Sequence, residues 1–249
     1  MKFGKTGSEV EVNVPTRAAL FRQVAGCLEA RRGFAVATLN LDHLTKLPLD
    51  PEFLEAYRAQ DLVVADGRPV VWLAALAGEG LELMPGSDLI LPLAALCAER
   101  DVPVALVGSS DEALEGAART LVAHVPGLKI SYRHAPPYGF DPVGEAADAI
   151  LEEVAASGAG LCFLALGAPK QERLAARGRK KAPSVGFASI GAGLDFLSGH
   201  QMRAPRILRI LALEWLWRAL SSPRRLIPRY ARCFAILPRL TLDALRQRR

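Results

Sequence analysis

The sequence predicts an α/β fold: a parallel sheet covered by helices on both faces, followed by a helical, basic C-terminal appendage. Three observations lead there. Strand-like runs alternate with helix-like segments over the first 200 residues. Those runs are continuously apolar, as strands buried on both faces are, and do not alternate in and out. The composition then changes near Arg203. The expectation is a Rossmann-like body of residues 1–200 and an appendage of residues 201–249.

The elements follow in order. GFAVATLN (33–40) reads as the first strand of the sheet, and PEFLEAYRAQ (51–60) as a helix with Pro51 in its first turn. DLVVADG (61–67) is a short buried strand ending in a turn. PVVWLAALAG (69–78) and SDLILPLAALCAER (87–100) read as helices, the second capped by Ser87. VPVALVG (102–108) is another strand, before a helix that Ser110 or Asp111 caps. LKISYRHA (128–135), GLCFLALG (160–167) and PSVGFASIG (183–191) complete the series.

A composition of 51% hydrophobic and 23% charged residues excludes a disordered chain. The longest stretch without a charge, residues 154–169, is interrupted by Gly158, Gly160 and Gly167 and is too short to span a bilayer. The N-terminus lacks the apolar core of a signal peptide, so a chain neither secreted nor integral to a membrane is expected. Cys27, Cys97, Cys162 and Cys233 are widely spaced and read as reduced, buried thiols.

The net charge of +5 is unevenly spread. Residues 201–249 hold twelve arginines against Glu214 and Asp243, a balance of +10, which leaves −5 on the rest. A basic tail on an acidic body is drawn to polyanions such as lipid headgroups or a pyrophosphate. Leu226, Tyr230 and Phe234 recur at helical spacing, as do Arg225, Arg229 and Arg232. These are the apolar and basic stripes of an interfacial helix, or of a helix packed on the body. Pro228 and Pro238 predict short pieces, not one rod. The acidic body, with no recognised DNA or RNA motif, argues against a nucleic-acid partner.

Ligands of such sheets sit beyond the carboxyl ends of the strands, so the residues there are the candidates. Asp66 follows an apolar strand and precedes Gly67; it is a candidate general base, or a cap on the next helix. Thr38 and Asn40 alternate at the end of the first strand and project to one side. In GAPKQE (167–172), Lys170 and Gln171 lie in the first turn of a helix, where amides and a lysine favour an anion. Asp195 lies in a glycine-bounded turn, GAGLDFLSG. The four histidines are scattered and read as structural or solvated. No phosphate-binding G-x-x-x-x-G-K-[ST] and no Asp-x-Asp occur, so any bound phosphates fall to Arg, Lys and helix amides.

In order and spacing, ATLN (37–40), DLVVADGRPVVW (61–72), MPGSDL (84–89), VALVG (104–108), LGAPKQE (166–172), IGAGLDFLSG (190–199), RAP (203–205) and LEWLWRALSSPRRLIPRY (213–230) resemble the WecG/TagA/CpsF family of glycosyltransferases, family 26. The resemblance implies inverting, metal-independent and cofactor-free transfer of a sugar from a UDP-sugar donor to an undecaprenyl-diphosphate-linked acceptor in bacterial surface polysaccharide synthesis. It implies a Rossmann-like catalytic domain and an appendage docked on the inner face of the cell membrane. It puts the family base on Asp66, site residues on Thr38, Asn40 and Gln171, and diphosphate-binding arginines on Arg218 and Arg225. Many members carry an arginine just before the segment occupied here by Leu83-Met84-Pro85-Gly86-Ser87-Asp88; Arg68 is the candidate to replace it. A non-catalytic nucleotide- or lipid-binding module is the alternative, and assembly as a homo-oligomer stays open.

Overall fold

The computed structural model describes residues 1–4, 7–201 and 214–248, except the side chains of Glu214, Arg218, Ser221 and Arg225. An antiparallel pair, β1 (Lys2–Phe3) and β2 (Val10–Glu11), opens the chain. Thr16 then caps α1 (Arg17–Glu29) by accepting from the Ala19 amide.

All six strands expected from the apolar runs form, and they make one parallel sheet. They are β3 (Ala35–Leu39), β4 (Leu62–Ala65), β5 (Val104–Gly108), β6 (Ile130–His134), β7 (Leu161–Ala165) and β8 (Gly186–Ser189). Their spatial order is β4-β3-β8-β7-β5-β6. Every residue of β3, β4, β5 and β8 is buried, which is why those runs read as continuously apolar; β6, at the sheet edge, alternates between half-buried and exposed.

Helices cover both faces. On the first, α1, α5 (Gly86–Ala98), α6 (Asp111–His124) and α9 (Gly193–Leu197) pack with Val36, Val64, Leu106 and Phe163. On the second lie α2 (Leu41–Lys46), α3 (Pro51–Arg58), α4 (Arg68–Leu76), α7 (Glu145–Ala156) and α8 (Lys170–Lys181), against Ala37, Leu39, Val107 and Leu164. Burying each large apolar side chain in these layers stabilises by roughly 1.5–3 kcal/mol. Within the sheet, β5 and β7 lie close enough that a Cβ on Gly108 would sit 2.5 Å from the Ala165 backbone.

The C-terminal segment forms α10 (Glu214–Ser221) and α11 (Pro223–Gln247). The short pieces expected from Pro228 and Pro238 are one 25-residue helix. Both prolines are exposed, as are Arg224 and Phe234 four residues earlier, so water can take the freed carbonyls. The expected apolar stripe is also shifted. Leu226, Cys233, Leu240 and Ala244 form the buried seam, while Phe234 is half exposed. That seam packs α11 against α2 and α4. Ser110 caps α6 as expected, through the Ala113 amide. Ser87 does not cap α5: the helix begins at Gly86, with Pro85 in the cap position.

Candidate active site

The carboxyl ends of β4, β3 and β8 form one edge. In β3 and β4, Val36 and Val64 face the first layer while Ala37, Leu39, Val63 and Ala65 face the second. Alternation therefore sends Thr38, Asn40 and Asp66 toward the first face, above α5. Thr38 is 4% exposed and pairs in register with Val64. The Leu39 carbonyl accepts from the Asp66 amide at 2.7 Å, drawing the two strand ends together.

Asn40 is the cap of α2. Its Oδ1 accepts from the His43 amide at 3.2 Å, which leaves Nδ2 to donate to Asp66 Oδ2 at 3.3 Å. Flipping the amide would lose both bonds, so the helix cap fixes which group meets the carboxylate. Asp66 is half-buried, and Gly67, at φ +94°, turns the chain so that α4 starts at Arg68. Gly67 holds the cap position of α4, so Asp66 is not the cap residue of that helix.

The β8 turn closes the first-face side of this edge. A Cβ on Gly86 would meet the Ile190 backbone, and one on Gly193 would meet Ser87 and Ile90. The N-terminus of α5, which has no side-chain cap, thus lies against the turn. From β7, Gly167 and the cis Ala168–Pro169 peptide lead into α8, with Lys170 half-buried at its first position. Gln171 is 2% exposed. Its Oε1 accepts from the Gly191 amide at 3.1 Å, and its Nε2 donates to Glu172 Oε1 at 2.8 Å.

Below the edge lies a buried polar layer. His43 Nδ1 is 3.3 Å from the Tyr57 hydroxyl, and burial holds the imidazole down at about 3. Burial, then the charges of Glu172 and Asp66, keep the Tyr57 phenol well above its usual range. Asp42 is 4% exposed and pairs with Lys46 at 2.7 Å and with Arg229 of α11 at 3.0 Å. Lys46 Nζ also donates to the Ala168 carbonyl at 3.4 Å.

These positions sort the expected residues. Asp66 and Asn40 meet directly, with Thr38 beneath them on the same side. Arg68 and Lys170 open α4 and α8. Gln171 faces the β8 turn. Asp195 is engaged toward β5: its Oδ1 accepts from the Ser109 hydroxyl and its Oδ2 from Gln201 Nε2 at 2.8 Å. Ser109 itself holds a left-handed conformation, φ +54°. Arg218 and Arg225 lie on α10 and α11, and their side chains fall outside the described ones. Among the described residues no three His, Cys, Asp or Glu side chains group as a metal site would require.

The model of the glycosyl transferase WecG/TagA/CpsF family matches residues 7–249, nearly the whole chain. The chain belongs to the WecG/TagA/CpsF glycosyltransferase family. As a member of that family it is a glycosyltransferase built on a parallel α/β sheet. Among its described residues no helix is long and apolar enough to cross a membrane.

Sequence reasoning places Glu172 and Ser109 at strand ends without giving them a role in this WecG/TagA/CpsF member, and it misses Asp42 and Lys46. Glu172 had a signal, its place in the GAPKQE segment, but a first-turn acid reads as an ordinary complement to the helix dipole. Asp42 and Lys46 have the i, i+4 spacing of a solvent-facing pair. Nothing in the sequence shows that this pair is covered by a helix beginning 177 residues later.

Proposed function

We propose that the protein is an inverting glycosyltransferase that moves a sugar from a UDP-sugar to an undecaprenyl-diphosphate-linked acceptor in bacterial surface polysaccharide synthesis, with Asp66 as general base. The observation that carries this reading is the Asp66 carboxylate at the carboxyl edge of the sheet, oriented by the Asn40 amide. Asp66 takes the proton of the acceptor hydroxyl as its oxygen bonds to the anomeric carbon. The bond from that carbon to the β-phosphate oxygen breaks, and UDP leaves with the electron pair. Thr38 and Gln171, the residues expected to bind substrate, are buried and act on the reactants by holding the strand end and the β8 turn that line the site. Arg68, Lys170, Asp195, Arg218, Arg225 and the α5 N-terminus bind the donor, the cationic groups meeting its phosphates where charge develops, so the step calls for no metal.

On this reading residues 1–200 are the catalytic domain and residues 201–249 the docking appendage. Trp215, Leu216, Leu220, Ile227 and Phe234 are exposed apolar side chains among the arginines of the tail, a composition suited to the inner-leaflet surface that carries the acceptor.

The test is purified protein with UDP-sugars and a short-chain lipid-diphosphate acceptor. UDP release should require the acceptor, and Asp66→Asn should keep its melting temperature while losing at least about a hundred-fold in turnover. Near-normal turnover in that variant sinks the base assignment. Donor binding without UDP release under any acceptor supports the binding-module reading instead.

A further inference from the structure

Glu172 is fully buried in the first turn of α8, yet among the described residues no cation pairs with it; Lys46 acts on it only through its charge. Its Oε1 accepts from Gln171 Nε2 at 2.8 Å, and its backbone carbonyl accepts from Gln60 Nε2 at 3.1 Å. Its Oε2 has no hydrogen-bond partner among the described residues. Burial pushes the carboxyl up to about 7, against the opposing effect of the Gln171 hydrogen bond. A buried acid with one idle oxygen is costly, and an exposed glutamate would complement the helix dipole equally well. The arrangement calls for another explanation.

Gln171 supplies it. Its amide lies between one donor, the Gly191 N–H, and one acceptor, Glu172 Oε1. Only one orientation satisfies both neighbours; a flipped amide would oppose donor to donor and oxygen to oxygen. From Gly191 the link continues into the β8 turn, which packs on α5 backbone to backbone at Gly86 and against Ile90 and Ser87 at Gly193. We propose that Glu172 is a positioning residue: by fixing the polarity of the Gln171 amide, it sets the Gly191–Gly193 turn and, through it, the wall of the strand-end crevice. Its role in transfer rests on the proposed function; its role in holding the turn does not.

Two readouts on the full-length chain test this separately: hydrogen exchange of the Gly191 amide, and steady-state transfer kinetics. Glu172→Leu removes the acceptor, so Gly191 should exchange about ten-fold faster and kcat should fall by about ten-fold, with donor KM changed less than about two-fold. Glu172→Gln keeps an acceptor oxygen for Gln171 and should restore both. Equal effects of Leu and Gln, or unchanged Gly191 protection in Glu172→Leu, overturn the proposal.

Should Glu172→Leu fail to fold, an isosteric exchange decides. Gln171→Glu alone sets two carboxyl groups face to face and should deprotect Gly191. Adding Glu172→Gln rebuilds the link with its donor reversed and should bring protection back. A double variant no better protected than the single one refutes the link. If the wild type transfers no sugar, the proposed function fails, while the exchange data still settle the role of Glu172.

Discussion

Asn40 does two jobs with one amide, and substitutions can separate them. Asn40→Asp keeps a good helix cap but sets a second carboxylate at the distance where Nδ2 now meets Asp66. Stability should change by less than about 1 kcal/mol, whereas turnover should drop and the acid limb of its pH profile should move to higher pH, since like charges disfavour ionisation. An unchanged profile removes Asn40 from the site. The buried layer beneath makes a second prediction. An acid whose folded value stands above its unfolded one contributes fully below the unfolded value and loses that contribution as pH rises. For Glu172 the window runs from its ordinary 4.5 to about 7. His43 has the opposite sign: its contribution is full above 6.5 and is lost as pH falls toward 3. The advantage of Glu172→Gln over wild type should therefore widen between pH 4.5 and 7, toward an order of 3 kcal/mol, and stay level above. Melting curves across pH check this; a constant difference contradicts it. Asp66 and Asn40 were legible in the sequence because strand ends can be located from apolar runs. Glu172 was not, because sequence does not show which face of α8 turns its first turn inward.

Among the elements, the strands were the most readable, since burial on both faces leaves an unbroken apolar run. The C-terminal helices were the least. Proline rules describe a helix in water, while α11 is held by its seam on α2 and α4, which outweighs two exposed kinks. Its polar fastening is the Asp42 cluster. Arg229→Met leaves Lys46 to neutralise Asp42 and should cost about 1 kcal/mol; Arg229→Met with Lys46→Met leaves a buried carboxylate alone and should cost more than the two single losses combined. Additive losses in denaturant titrations would show that Asp42 is solvated. Between β5 and β7, Gly108 at φ +122° has no space for a Cβ. Gly108→Ala should lower stability by about 2–4 kcal/mol, read as a drop in the denaturation midpoint at unchanged slope.

At the scale of the molecule, the alternating pattern disclosed the fold class but not the strand order, because order depends on which distant runs meet. The sequence puts a net −5 on residues 1–200 and +10 on residues 201–249. If the tail serves the proposed docking role, binding to anionic vesicles should weaken by about ten-fold or more between low and physiological salt and be negligible on neutral ones. Salt-independent binding would point to the exposed apolar side chains alone. The strand order also governs timing. β3 and β4 are neighbours in sequence, yet the other side of β3 is occupied by β8, the last strand of the sheet. On a ribosome adding ~5–20 residues per second, the strand bearing Thr38 waits roughly ten to thirty seconds for that partner. During that interval it presents an open edge, and the crevice has only one wall. β8 must be made before the first strands can work, so a chain released before it holds Asp66 without a site around it.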